Sequence, residues 1–151
     1  MSLMHSLYFE IEGTTYKYNT WDSWHLIPSS RPVVAQPTPN YTYVDIPGSN
    51  KPLDLSEYLT GELTYQDRKG SFSFYVDNDG SNWAKKRQEL ANVFNGRKMK
   101  MTLFDDSNYF YRGRFFLKEW RSDASSNYST VTIDYQISPI RYLTNGREAG
   151  L

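Results

Sequence analysis

The chain has no cysteine and only two histidines, His5 and His25, among 151 residues. The first absence excludes a disulfide framework, thiol catalysis and thiolate metal sites. The second leaves little imidazole for acid–base chemistry or metal binding. There is no surplus of either charge, since 17 Lys and Arg face 17 Asp and Glu. Proteins that grip nucleic acid or a membrane surface usually advertise a basic excess. No sequence-specific nucleic-acid partner and no membrane is therefore expected. No apolar run approaches the ~18 residues of a membrane span, and the N-terminus lacks the basic-then-apolar pattern of a signal peptide. Glycine-rich phosphate loops, Walker patterns and dinucleotide fingerprints are missing too, so no cofactor is expected.

What the chain does have is rings. Tyr 13, Phe 8 and Trp 4 make up 17% of a chain that is only 38% hydrophobic. Aromatic-rich, aliphatic-poor chains suit sheets and binding surfaces better than helical bundles. At roughly 200 Å² per aromatic side chain, this set carries about 5,000 Å² of burial potential. A third of that outside the core would supply on the order of 1,600 Å², or two patches of the ~800 Å² per partner that a standard interface uses. Two patches suit a ring, in which every subunit touches a neighbour on either side. A core that absorbs every ring is the other possibility, and composition alone does not decide between them.

The length fits one domain with a core of its own. Met1-Ser2-Leu3 precedes a second methionine, Met4, so residues 1–6 read as a tag or N-terminal tail that includes His5. Ser6 to Ile11 and Thr15 to Asn19 read as a hairpin with Gly13 in its turn. An aromatic cluster of Trp21, Trp24 and His25 follows. Six of the seven prolines then fall between Pro28 and Pro52. Proline lacks a ladder donor, which excludes a central strand there. Yet Val33-Val34 and Tyr41 to Ile46 are β-prone, so the segment reads as a long extended arm or open hairpin. Leu53 to Leu59 suggests a short helical turn or strand. Leu63 to Tyr65, a turn at Asp67 to Gly70, and Ser71 to Val76 read as another hairpin, with Phe72, Phe74 and Val76 on its buried face.

From Trp83 to Phe94 the period becomes helical, with Trp83, Leu90, Val93 and Phe94 on one face and Ser81 or Asn82 as N-cap. Asn95-Gly96 stops this helix. A meander follows, in which Met99, Met101 and Leu103 alternate with Lys98, Lys100 and Thr102. Then Tyr111, Gly113, Phe115 and Leu117 oppose Phe110, Arg112, Arg114 and Phe116, so that both faces of that strand carry aromatics. Val131, Ile133, Tyr135 and Ile137 form the buried face of a last strand. Loops at Asp105 to Asn108 and Ser122 to Asn127 join these strands. Pro139 ends the last of them, and residues 144–151 read as a flexible tail. The expected class is mainly β: a β-sandwich with one α-helix and a projecting proline-rich arm at about 28–52, in a single domain spanning 7–143.

Motifs that carry chemistry are scarce. His25 sits between Trp24 and Leu26, where a packed or surface imidazole is expected rather than a catalytic base, and neither histidine belongs to a triad signature. Asp77-Asn78-Asp79-Gly80 resembles part of a calcium loop. In EF-hand register, however, Tyr75 and Lys86 would stand at the first and twelfth positions, where acids are needed. It reads as an Asx-rich turn. Asp105-Asp106 is an adjacent pair on a turn, whose side chains should point apart. Arg112-Gly113-Arg114 beside Tyr109-Phe110-Tyr111 is raw material for single-strand nucleic-acid binding. The two arginines share a strand face and could equally pair with carboxylates. Asn40-Tyr41-Thr42 and Asn127-Tyr128-Ser129 match the glycosylation acceptor, with no secretory signal to make it relevant. No enzyme is expected.

Several segments in order resemble the N-terminal domain of distal tail proteins from long, non-contractile-tailed phages of Gram-positive bacteria. They are Trp24-His25-Leu26-Ile27-Pro28-Ser29-Ser30-Arg31-Pro32, Val44-Asp45-Ile46-Pro47-Gly48, and Leu53-Asp54-Leu55-Ser56-Glu57-Tyr58-Leu59-Thr60-Gly61. Asp67-Arg68-Lys69-Gly70-Ser71-Phe72-Ser73-Phe74 and Leu103-Phe104-Asp105-Asp106-Ser107-Asn108-Tyr109-Phe110-Tyr111-Arg112-Gly113-Arg114 complete the set. The resemblance implies a virion structural protein, made in the host cytoplasm, that forms a homohexameric ring joining the tail tube to the host-adsorption (baseplate) apparatus. Its partners would be copies of itself and the tail-tube, tape-measure and tail-tip proteins. In that picture the arm laps onto a neighbour, with Val33, Val34, Pro37, Pro39, Tyr41, Tyr43, Val44 and Ile46 as interface candidates. Larger members carry a second, carbohydrate-binding-like domain, which is not expected in this chain. A reading from another class stays open: a module binding cell-wall polysaccharide, with Trp21, Trp24, Trp83 or Trp120 as a stacking platform.

Overall fold

The computed structural model describes residues 4–58, 61–77, 82–122 and 127–151. The chain is mainly β, with one helix longer than two turns. It opens with the expected hairpin, β1 (Leu7–Ile11) and β2 (Lys17–Asn19), closed over Gly13, whose φ of +78° needs a residue without Cβ. The strand length follows from the pattern, since Leu7 and Phe9 point in while Tyr8 points out.

A short helix that the sequence reading missed comes next, α1 (Thr20–Trp24). Asn19 caps it: its Oδ1 accepts from the amides of Trp21 at 2.9 Å and Asp22 at 3.0 Å. His25 ends it in the left-handed conformation, with its amide donating to Trp21 O at 2.7 Å and the Leu26 amide to Thr20 O at 2.9 Å. The available signal was Asn19 followed by an acid in the first turn. The His25 ring stands edge-on to Trp21, 4.8 Å between centroids, as a packed surface imidazole.

The sheet proper comprises β3 (Ile27–Pro28), β6 (Arg68–Asp77), β7 (Asn95–Leu103), β8 (Asp106–Ser122) and β9 (Tyr128–Ile137), together with β1 and β2. All neighbours are antiparallel, in the order β2-β1-β7-β8-β9-β6-β3. Two short strands between β3 and β6, β4 (Tyr43–Val44) and β5 (Leu53–Asp54), pair only with each other. Between β6 and β7 lies α2 (Asn82–Val93), whose Leu90 and Val93 enter the core. Phe94 follows it into the core and Gly96, at φ +90°, turns the chain into β7.

One cluster gathers the inward residues of every long strand. Phe9 is its hub, edge-on to Phe94 at 4.9 Å and to Phe115 at 5.0 Å. Such pairs add about 0.5–1.5 kcal/mol beyond the area they bury. Gly113 must lack a side chain: a Cβ there would strike Gln136 O and Ile137 Cα, with Ile137 Cγ2 at 2.6 Å.

Four expectations are corrected. The segment 63–65 is not a hairpin partner of β6. Full-length pairing with β9, from Arg68↔Ile137 to Asp77↔Tyr128, fills that edge instead. The tail is paired rather than loose, because β10 (Arg141–Leu143) takes up β8 at Tyr142↔Phe110 and binds β11 (Glu148–Gly150). Residues 5 and 6 belong to the body: His5 Nδ1 lies 2.7 Å from Asp105 Oδ2, and Ser6 is buried against Asn19. The helix begins at Asn82, so Asn82 is not its cap, and the other candidate, Ser81, lies outside the described residues, as do most of the two loops at 78–80 and 123–126.

Candidate interaction surfaces

The segment between β3 and β6 starts as part of the body. Pro28 sits in the ladder against Phe74, and the Ser29 amide donates to Ser73 O at 3.1 Å. Val34 and Ala35 pack on the core, and Pro37 is buried. Ala35 is held from both sides. Its amide donates to Tyr135 Oη at 2.8 Å, and its carbonyl accepts from Arg68 Nη1 at 3.1 Å. Arg68 also donates to Pro139 O through Nε at 3.2 Å and Nη2 at 2.8 Å, and lies over the Tyr111 ring at 5.4 Å.

Arg68 is buried with no ion pair to a carboxylate among the described residues, and desolvation pulls its pKa below the ordinary guanidinium value. Carbonyl acceptors and a ring face take the place of a counter-ion. Burial likewise raises the Tyr111 phenol above its ordinary value. Gly70 makes room for the clamp, since a Cβ at that position would strike Tyr135 Oη and sit 2.7 Å from its Cζ.

From Thr38 the chain leaves the body. The Asn40 amide donates to Thr64 O and the Gln66 amide to Thr38 O, both at 2.8 Å, around a Pro39↔Tyr65 bridge. This stalk continues into β4–β5, where the Leu55 amide donates to Thr42 O at 2.7 Å. The register slips between stalk and tip, and the returning side takes up the extra residues in turns around 55–58 and Gly61. At the tip, Ile46-Pro47-Gly48-Ser49 forms a turn closed from Ser49 N to Ile46 O at 3.0 Å, with Gly48 at φ +80°.

The arm thus spans the described residues 38–58 and 61–66, later than the 28–52 expected, because residues 28–37 lie along the sheet edge and core. Of the interface candidates, Tyr41, Tyr43, Val44 and Ile46 stand exposed on the arm, with Tyr41 and Tyr43 rings 6.0 Å apart. Val33 is exposed on the body, at 74%. Pro39 is half-buried in the stalk, while Val34 and Pro37 are taken up internally. Sequence reasoning missed Leu53 and Tyr58, which are also exposed on the arm. Leu53 to Leu59 had suggested only a short helical turn or strand.

The four tryptophans differ in burial. Trp24 is buried, stacked on Tyr18 at 5.3 Å and tilted against Phe94 at 5.5 Å, which removes it as a sugar-stacking residue. Trp120 packs against the core from β8, with its Nε1 buried and unpartnered among the described residues. Trp21 is half-buried under His25, and Trp83 is half-buried on α2. The carboxylates of the Asp105-Asp106 pair diverge, one to His5 and the other to Arg141 Nη1 at 3.5 Å.

The outer face of the sheet holds the second notable surface. A hollow of about 630 Å³ lies across β6, β9 and β8, with Lys69, Arg114, Phe116, Lys118 and Asp134 in its lining. Two bulges frame it. One lies between Asn95 and Lys98 in β7, the other at Lys118 between Leu117 and Glu119 in β8. Bulges bend a strand and re-aim its side chains. Here they flank Phe116, which is 54% exposed. Among the described residues no group of three or more His, Asp or Glu could hold a metal ion. No described helix is long and apolar enough to cross a membrane.

No family model matches the sequence, and no curated protein matches it. Among solved structures, the chain is similar to the SPP1 Dit (gp 19.1) protein, described as a paradigm of the hub adsorption apparatus in phages infecting Gram-positive bacteria. The TM-score is 0.61 at 14% identity, over 91% of this chain and 52% of that one. The two share a fold over most of this chain. This chain spans about half the length of that protein. It also aligns with a chain of the 6-fold symmetrised anti-feeding prophage baseplate, at a TM-score of 0.40 and 12% identity over 90% of this chain and 91% of that one.

Proposed function

We propose that this chain is a structural protein of a phage or prophage tail, forming a ring at the distal end that joins the tail tube to the host-adsorption apparatus. The observation that carries the reading is the arm. Residues 41–54 are exposed throughout, yet include Tyr41, Tyr43, Val44, Ile46 and Leu53. A free two-stranded hairpin is marginal in water. An excursion of this length with apolar side chains facing solvent is explained by a partner that covers it. The fold shared with a tail hub protein supports the same reading.

Six copies are expected in the ring, with the tube, tape-measure and tail-tip proteins as further partners, in a virion rather than in the cell. The arm contributes binding surface, and no chemistry is assigned to it. Sedimentation velocity and electron microscopy of the full chain at rising concentration test the assembly. Closed rings are expected, and replacing residues 41–54 with a short Gly-Ser turn should leave a folded monomer. A wild-type chain that stays monomeric, alone and with the other tail proteins, would remove the reading.

A further inference from the structure

Charges that cancel over the whole chain do not cancel locally. On the outer sheet face, Lys69, Lys98, Arg112, Arg114 and Lys118 line two hollows that share Arg114 and Gln136, with Asp67 and Asp134 as the acids in those linings. The register sets Lys98 against Arg114 and Lys100 against Arg112. Like charges directly opposite one another cost a sheet stability. Among the described residues, Glu12 at 2.6 Å from Arg112 Nε is the one carboxylate paired with these cations. Arg114 donates through Nη1 to Gly96 O at 3.1 Å, which satisfies a donor but does not neutralise the charge. The fold therefore maintains a mainly basic groove whose lining includes an exposed ring, Phe116, with Asp134 opposite it.

The arm is its counterpart. Between residues 41 and 58 the acids Asp45, Asp54 and Glu57 outnumber the one base, Lys51. Hydrogen bonds from the Ser56 side chain and amide hold the Asp54 carboxyl below the usual carboxylate range, so it stays ionised. None of these acids forms an ion pair with the groove cations of its own chain among the described residues. Acid sits beside apolar side chains on the arm, and base sits beside an apolar ring in the groove.

We infer that the arm of one copy docks in the basic groove on the outer sheet face of a second copy, its acids facing Lys69, Arg114 and Lys118 and its apolar side chains covering Phe116. This rests on the ring reading above and specifies the surface that receives the arm. Donor and receiver are different patches, so the contact is heterologous: repeated, it closes into a ring or runs on as a filament. Complementary charge would set register and orientation more than raw affinity.

The absence of native cysteine makes the test clean. Full-length Val44→Cys (arm) and Ser71→Cys (groove wall) are mixed and treated with a short bismaleimide, and linked dimers are counted by mass. The mixture should give at least tenfold more dimer than either variant alone. Adding Arg114→Glu and Lys118→Glu to the groove variant should lower the yield at least fivefold, and Asp45→Lys with Glu57→Lys on the arm variant should restore it. Linking that ignores both reversals overturns the proposal. Linking of the arm to Tyr8→Cys, on another part of the outer face, with Ser71→Cys unlinked, overturns it while leaving the ring reading intact. No linking at all, with a monomer in the ultracentrifuge, overturns both. Binding of a single-stranded oligonucleotide that the groove reversals abolish, with no arm linking, marks a polyanion site and also overturns it.

Discussion

The sheet body and the arm are built from the same residue types but held by different forces. In the body, Phe9, Phe94 and Phe115 meet ring to ring, and every inward position of β6 and β9 from Phe72 to Val76 and Val131 to Ile137 is buried. In the arm, Tyr41, Tyr43, Val44 and Leu53 meet mainly water and are fixed by backbone pairing and one turn. Substitutions should therefore separate the two regions. Body changes should alter stability, whereas arm changes should alter association.

The largest effect should come from Phe9→Ala, which removes the ring shared by Phe94 and Phe115. A loss of about 3–5 kcal/mol is expected in denaturant unfolding. That is a large share of the ~5–15 kcal/mol that holds a domain together. A cost below ~1 kcal/mol would mean that the body is not organised around this hub. Gly113→Ala comes next, because its new methyl meets backbone that the β8–β9 ladder holds in place. Overpacking of this kind should cost about 3 kcal/mol. An unchanged midpoint would show that the strands part more easily there than the register suggests.

Legibility in the sequence follows the same division. Where burial on one face imposed a period, as in Phe72-Phe74-Val76, Met99-Met101-Leu103 and Val131 to Ile137, both element and inward face could be read. The Gly13 hairpin and the 83–94 helical face were readable for the same reason. The body's long-range choices were not. Nothing local says that β6 pairs with β9, some 60 residues on, rather than with 63–65 next door. Arg68 offers another case: a cation at a strand start reads as surface, and only the fold supplies Ala35 O, Pro139 O and Tyr111 to bury it. Proline content announced an arm but misplaced its root, because Val34 and Pro37 look as β-prone or extended as the residues beyond them. The groove was invisible because its cations come from three separate strands.

The root of the arm is where the two regions can be coupled or uncoupled. Arg68→Met keeps an apolar stem but leaves the carbonyls of Ala35 and Pro139 without their donors, at a cost of about 1–3 kcal/mol. Tyr135→Phe removes only the acceptor for the Ala35 amide and should cost about 1 kcal/mol. Both should speed hydrogen exchange at Ala35 more than at Ile133. If exchange rises equally across the sheet, the clamp is simply part of the core and the arm has no separate root.

The smallest expected effect on folding is the most informative about assembly. Tyr43→Ser with Val44→Thr replaces two exposed side chains on β4 and leaves the β4–β5 hydrogen bonds and the Pro47-Gly48 turn in place. Surface changes away from caps and special backbone usually stay within about ±0.5 kcal/mol. The unfolding midpoint should barely move, while the concentration needed for ring formation should rise at least tenfold. A tenfold change corresponds to about 1.4 kcal/mol at each contact, easily supplied by two apolar side chains covered in the assembly and exposed in the monomer. If stability instead falls by more than ~1 kcal/mol, these residues support the fold of their own chain. The comparison between a self-sufficient body and a partner-seeking arm would then fail.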